Sequence, residues 1–236
     1  MKKMILLSGT SAVGKTSLLV HILKGLGERH KSPAVCKIDC LYTRDGERIK
    51  ELGYPCIVGL SGDICPDHFL VSNIPELMEW TNQLQSNTLL IETAGLCHRC
   101  SPATENMLAG CVVDCTSSSY APVGFGPMLT GADFIVLTKI DLISQAEREI
   151  FTWQVKELNP TAQIFAIDSV AGYGMEPLVN WIDSKEFLYS DEDVLRFTMP
   201  AGVCSYCVGE KRVGSAWQQG VVGKIDFSKE GVTPYK

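Results

Sequence analysis

One short segment limits what this 236-residue chain can become more than any other. It is Gly9-Thr-Ser-Ala-Val-Gly14-Lys15-Thr16, set between the apolar run Met4–Ser8, which reads as a strand, and Lys15–Leu26, whose apolar residues recur at helical spacing. The pattern G-x-x-x-x-G-K-T between strand and helix brings backbone N–H groups and a helix N-terminus onto phosphate oxygens. It predicts a nucleotide site built from Gly9, Thr10, Ser11, Ala12, Val13, Gly14, Lys15, Thr16 and Ser17. In such a loop the lysine bridges the β- and γ-phosphates and the threonine hydroxyl serves Mg²⁺, so Lys15 and Thr16 are expected catalytic positions.

The rest of the chain repeats the alternation. Strand-like runs at Ala34–Ile38, Pro55–Val58, Thr88–Glu92, Cys111–Val113, Phe134–Thr138 and Gln163–Ile167 alternate with helical stretches at Asp45–Leu52, Pro75–Leu84, Gln145–Leu158 and Glu176–Ile182. Apolar runs without polar alternation belong to strands covered on both faces. The expected fold is therefore α/β, a P-loop NTPase with a mostly parallel sheet flanked by helices. After Asp183 the periodicity stops and glycines accumulate. This gives an expected boundary between a nucleotide-binding domain, 1–183, and a small irregular or β C-terminal extension, 184–236. With 21 basic and 27 acidic side chains the net charge is −6, which offers no bulk attraction for nucleic acid or anionic membrane. Met1-Lys2-Lys3 followed by Met4–Leu7 falls short of a secretory leader, and no run approaches the roughly 20 apolar residues of a membrane span. A cytoplasmic location is expected.

Thr138-Lys139-Ile140-Asp141 closes the buried strand Phe134–Leu137 and differs by one residue from the guanine motif N-K-x-D. An aspartate at this point accepts hydrogen bonds from guanine N1–H and its exocyclic amine, a pair adenine cannot donate. Asp168 and Ser169 lie in the loop after the next strand, a second candidate base contact. The expected nucleotide is GTP, bound through Thr138, Lys139, Asp141, Asp168 and Ser169. Asp39 and Glu92 each end a strand, and both would emerge at the carboxyl edge of a parallel sheet, where ligands of such folds sit. There they are candidate Mg²⁺ ligands with Thr16 and candidate catalytic groups, with Gly95 beside them.

The order GTSAVGKT, KID, IETAG, CVVD, TKID and AGYGMEPLVNWI resembles the metal-chaperone GTPases of the SIMIBI class over roughly residues 1–183. That class includes the nickel-inserting hydrogenase and urease maturation GTPases and the cobalamin-biosynthesis W-type proteins. The resemblance implies that Asp39 lies in switch I and that Glu92 and Gly95 lie in switch II. It also implies a homodimer and a client metalloenzyme or its assembly proteins as partners. Thr10 stands where the ATPase branch of the class carries a signature lysine, which disfavours that branch.

Ten cysteines are many for a chain of this type. Cys65 and His68, in Asp63-Ile-Cys-Pro-Asp-His68, form a soft-ligand pair for Ni²⁺ or Zn²⁺. They resemble the Cys-Pro-His of the urease-type GTPases with one residue inserted. Cys97 and Cys100 follow directly on switch II, so a metal held there is tied to the nucleotide state. Cys204 and Cys207 form another C-x-x-C, open to structural zinc, an iron–sulfur cluster or a transferable metal. Cys36, Cys40, Cys56, Cys111 and Cys115 are expected to pack in the core. The expected function is a GTP-hydrolysing metallochaperone or metallocentre-assembly factor. Two rivals remain at this stage: a nucleotide-gated iron–sulfur protein, and a small-molecule kinase on the same loop. With no arginine in the phosphate loop, slow intrinsic turnover is expected.

Overall fold

Strand β1 (Lys3–Gly9) runs through the middle of a seven-stranded sheet and shows how the chain sorts its apolar residues. Alternate side chains point to opposite faces of a strand. Met4 and Leu6 join the core beneath one helical layer, while Ile5 and Leu7 join the core beneath the other. The computed structural model describes residues 3–95, 100–168, 170–186, 190, 192–198 and 209–229. Its elements follow as α1 (Lys15–Gly27), β2 (Pro33–Asp39), α2 (Asp45–Glu51), β3 (Cys56–Leu60), α3 (Pro66–Gln83), β4 (Thr88–Glu92), β5 (Met107–Asp114), α4 (Pro127–Thr130), β6 (Phe134–Thr138), α5 (Gln145–Leu158), β7 (Gln163–Ala166) and α6 (Met175–Ser184).

The sheet order is β3-β2-β4-β1-β5-β6-β7, and every pairing is parallel. Helices α1 and α6 cover one face through Leu19, Leu23, Leu178 and Ile182. On the other face α3 covers β1, β2 and β4, and α5 with the segment around α4 covers β5 and β6. This is the α/β architecture expected from the alternation of runs. Because all strands run the same way, the loops leaving β1, β2, β4, β6 and β7 gather at one edge, where the site forms.

Two expected elements are corrected. The strand expected at Cys111–Val113 is β5, which begins four residues earlier, at Met107. The sequence suggested a helix opening at Pro75, but α3 starts at Pro66 and carries Pro75 in its interior. Proline lacks the N–H that would reach the carbonyl four residues back. That carbonyl, on Val71, instead accepts from the Gly214 amide at 2.9 Å. Asn73 continues the seam: its Nδ2 donates to the Gly223 carbonyl at 3.0 Å, and its Oδ1 accepts from the Ile225 amide at 3.0 Å. The C-terminal segments thus lie along α3, with Leu195, Val213 and Ile225 buried in the core beneath it. Arg196 pins the other end, pairing with both oxygens of Asp133 at 3.0 and 2.7 Å and donating to the carbonyls of Thr104, Met107 and Gly131. Among the described residues no helix is long and apolar enough to cross a membrane.

Candidate functional site

The loop from Gly9 to Ser17 joins β1 to α1, with Gly14 as the N-cap of the helix. Lys15 is buried, and its Nζ donates to the carbonyls of Gly9 and Thr10 at 2.9 and 2.7 Å. Burial lowers its pKa to about 8, with Glu92 opposing that shift and Lys37 adding to it. The loop opens into a cavity of about 450 Å³ lined by Lys15, Thr16, Lys37, Asp39, Asp45 and Glu92.

Inside this cavity the oxygens are tightly grouped. Thr16 Oγ1 lies 2.9 Å from Glu92 Oε1 and 3.1 Å from Asp45 Oδ2. Lys37 Nζ lies 2.5 Å from the same Glu92 oxygen and 3.1 Å from the same Asp45 oxygen. Burial alone would strip the charge from Lys37, but Glu92 and then Asp45 outweigh it and raise its pKa above the usual lysine range. The other Glu92 oxygen, Oε2, is buried and has no hydrogen-bond partner among the described residues. An orphaned carboxylate oxygen beside a hydroxyl and a second carboxylate is an all-oxygen donor set, as a hard dication such as Mg²⁺ requires. The residues present fit that ion.

Asp39, expected here from sequence, does line the cavity, and its Oδ1 accepts from the Cys40 amide at 2.8 Å. The carboxylate next to Thr16 is Asp45, at the start of α2, which sequence reasoning treated only as part of a helix. A signal was present: Lys37 interrupts an apolar strand, and a buried ammonium needs carboxylate partners. Cys40, expected in the core, also lines the cavity.

Glu92 leads into Thr93, Ala94 and Gly95. Gly95 has φ +73°, and a Cβ there would run into the Gly9 carbonyl oxygen and come within 2.9 Å of Lys15 Nζ. Only glycine allows this segment to lie directly on the phosphate loop.

At the far side of the loop, Thr138 Oγ1 donates to the Val13 carbonyl at 2.7 Å and ties the end of β6 to the phosphate loop. Lys139 Nζ pairs with Asp114 Oδ2 at 2.5 Å, and Asp141 is exposed in the short turn that follows. Asp168, after β7, accepts from the amides of Val170 and Ala171 at 2.9 and 3.0 Å and so shapes its own loop. Ser169 lies outside the described residues.

The thiol-bearing positions lie on the α3 side. Cys65 is the N-cap of α3, so the Asp63–His68 segment is the entry to a helix rather than a free loop. The Cys100 thiol is hydrogen-bonded to Cys65, and with the amides of His68 and Asp67 it lowers the Cys65 pKa against the effect of burial. Cys100 Sγ also lies 3.3 Å from Asp67 Oδ2. Burial, with the Cys65 sulfur nearby, pushes the Asp67 carboxyl up to about 7. Asp67 was not singled out from sequence, because an acidic residue in the first turn of a helix is commonplace. His68 is fully buried; burial lowers its pKa, and a bond to the Val221 backbone opposes that. Cys97, Cys204 and Cys207 lie outside the described residues. Among the described residues no three His, Cys, Asp or Glu side chains form a complete metal-ligand group.

Comparison with known proteins adds a lineage to this geometry. The model of the CobW/HypB/UreG nucleotide-binding domain matches residues 3–166. A Methanocaldococcus jannaschii protein described as uncharacterized is 45% identical over 225 residues, spanning 95% of this chain and 96% of its own length. The urease accessory protein UreG of Edwardsiella ictaluri is 26% identical over 211 residues, 82% of this chain and 100% of the relative. Among solved structures, HypB from Helicobacter pylori in complex with nickel superposes with a TM-score of 0.64 at 16% identity, covering 78% of this chain and 86% of that one. At that identity the likeness speaks to the fold.

Proposed function

The chain belongs to the CobW/HypB/UreG family and is a P-loop GTPase, and from that premise we propose that it couples GTP hydrolysis to the binding and delivery of a transition metal. The observation that carries this reading is the meeting of Cys65 and Cys100. Cys65 caps α3, and Cys100 lies five residues beyond Gly95, whose backbone rests against the phosphate loop. A change at the γ-phosphate position therefore has a short covalent path to one of the two thiols.

The chain's own groups supply the hydrolytic chemistry. Lys15 gives up its two carbonyl partners for phosphate oxygens, and the amides of the loop and of α1 cradle the rest. Thr16, Glu92, Asp39 and Asp45 are the proposed holders of Mg²⁺. Mg²⁺ supplies charge neutralisation on the β- and γ-phosphate oxygens when bound. Water attacks the γ-phosphorus and the bond to the β-phosphate oxygen breaks, giving GDP and phosphate. Asp141, with Lys139, Asp168 and Ser169, is the proposed guanine-recognising set.

The metal is cargo. Cys65, Cys100 and Cys97 are proposed as its soft ligands, for Ni²⁺ or Zn²⁺, each losing its proton on binding. His68 is a further candidate, since a backbone carbonyl on one ring nitrogen commonly orients a metal-bound imidazole. Cys204 and Cys207 are proposed as additional donors. A homodimer, a client metalloenzyme or its assembly proteins, and a cytoplasmic location complete the proposal. It is tested by anaerobic Ni²⁺ and Zn²⁺ binding to wild type, Cys65→Ala and Cys100→Ala. Each substitution is expected to remove the tight equivalent; unchanged stoichiometry in both variants contradicts the assignment. A broad absorbance near 400 nm bleached by dithionite would favour an iron–sulfur protein instead.

A further inference from the structure

Lys37 is the charged group in the cavity that the scheme above leaves without a role. It projects from β2, and its side chain is only 6% exposed. Its Nζ sits 2.5 Å from Glu92 Oε1, 3.1 Å from Asp45 Oδ2 and 3.4 Å from Thr16 Oγ1. These three oxygens, with the unpartnered Glu92 Oε2 beside them, belong to the donor set proposed above for a dication. Their spacing is informative: Thr16 Oγ1 is 2.9 Å from the Glu92 oxygen and 3.1 Å from the Asp45 oxygen. Neighbouring oxygens of an octahedron with metal–oxygen bonds of about 2.0–2.1 Å lie about 2.9 Å apart. The ligands are thus already at the separations such an ion demands, and an ammonium group holds them there.

We propose that Lys37 is a resident cation: it keeps the dication's ligands assembled in the nucleotide-free protein and prevents a divalent ion from entering until nucleotide brings it. This rests on the magnesium assignment made above. The argument is one of shared acceptors and charge. An ammonium and a dication drawing on the same three oxygens repel each other across a few ångströms, and burial leaves little water to screen them. The cavity lining carries three carboxylates, on Asp39, Asp45 and Glu92, and two ammonium groups, on Lys15 and Lys37. Its formal charge is −1, so a lone dication reverses it to +1 with both lysines still in place. The polyphosphate supplies the negative charge that lets a second cation stay. Lys37 thereby makes occupancy of the divalent site report on the nucleotide.

The test uses Mn²⁺ as the paramagnetic probe, with free ion quantified by electron paramagnetic resonance in the purified full chain. Wild type is expected to leave Mn²⁺ free without nucleotide and to bind one equivalent with GDP. Lys37→Met is expected to take up Mn²⁺ without nucleotide at least about tenfold more tightly than wild type. Lys37→Arg, which keeps the charge, is expected to follow wild type. Circular dichroism and thermal unfolding verify that each variant is folded; if Lys37→Met is not, Lys37→Gln, which keeps a hydrogen-bond donor and drops the charge, carries the same expectation. The proposal is overturned if wild type binds Mn²⁺ without nucleotide as tightly as the neutral variants do. It is equally overturned if the neutral variants exclude Mn²⁺ as wild type does. Failure of wild type to bind Mn²⁺ even with GDP would instead remove the magnesium assignment on which the proposal stands.

Discussion

Lys15 shows how much a single side chain can set at the nucleotide site. Burial brings its pKa down from the ordinary lysine value of 10.5 to about 8. Phosphate oxygens favour the ammonium form, so binding at high pH requires proton uptake. In EDTA, GTP affinity is therefore expected to be level up to about pH 8 and then to weaken, approaching tenfold per pH unit at steepest. Fluorescent-nucleotide titrations from about pH 7 to pH 9.5 check this, and a flat profile contradicts it. The placement of Lys15 was legible in advance, because glycine, lysine and threonine at fixed spacing leave little freedom in a strand–loop–helix setting. Thr138, expected among the GTP contacts, has its hydroxyl on the Val13 carbonyl at 2.7 Å, a tie to the phosphate loop that the motif alone did not give. Asp45 was not legible: Lys37 in an apolar strand signals that a carboxylate partner is needed, but not that the start of α2 supplies it beside Thr16.

At the scale of elements, α3 marks where sequence rules give way to tertiary contacts. A proline in a helix interior costs about 3 kcal/mol, which favours reading Pro75 as a helix start. The helix tolerates it because Gly214, far along the chain, donates to the Val71 carbonyl that Pro75 leaves open. Gly214 has φ +100°, and a Cβ there would stand 3.0 Å from Pro75 Cγ. Gly214→Ala is therefore expected to destabilise the protein by about 1–3 kcal/mol, measured as a lower urea midpoint with little change in slope. Stability equal to wild type would show that the seam along α3 contributes little. Among the strands, Phe134–Thr138 was readable residue by residue, a buried apolar run closed by Thr138 and ended by Lys139 in the left-handed conformation, whereas β5 extends four residues before the expected Cys111.

For the whole molecule, the parallel sheet collects at one edge every loop that carries chemistry, and that much follows from the order of the motifs. What the order could not reveal is how two distant thiols meet. Cys65 and Cys100 come together with Cys65 at the N-cap of α3, which starts nine residues earlier than its apolar spacing suggests, and with Cys100 beside Asp67 in its first turn. The C-terminal segments brace the same turn through His68 and Val221, and Cys100 shares the core beneath α3 with Leu195, Val213 and Ile225. The central claim is that nucleotide state governs the affinity of those thiols for metal. Its most direct test is anaerobic equilibrium dialysis of Ni²⁺ against the protein loaded with GDP and with a non-hydrolysable GTP analogue, alongside Cys65→Ser. The account predicts dissociation constants differing by about tenfold or more between the two nucleotide states, with the difference abolished in the variant. Identical affinities in both states would contradict it.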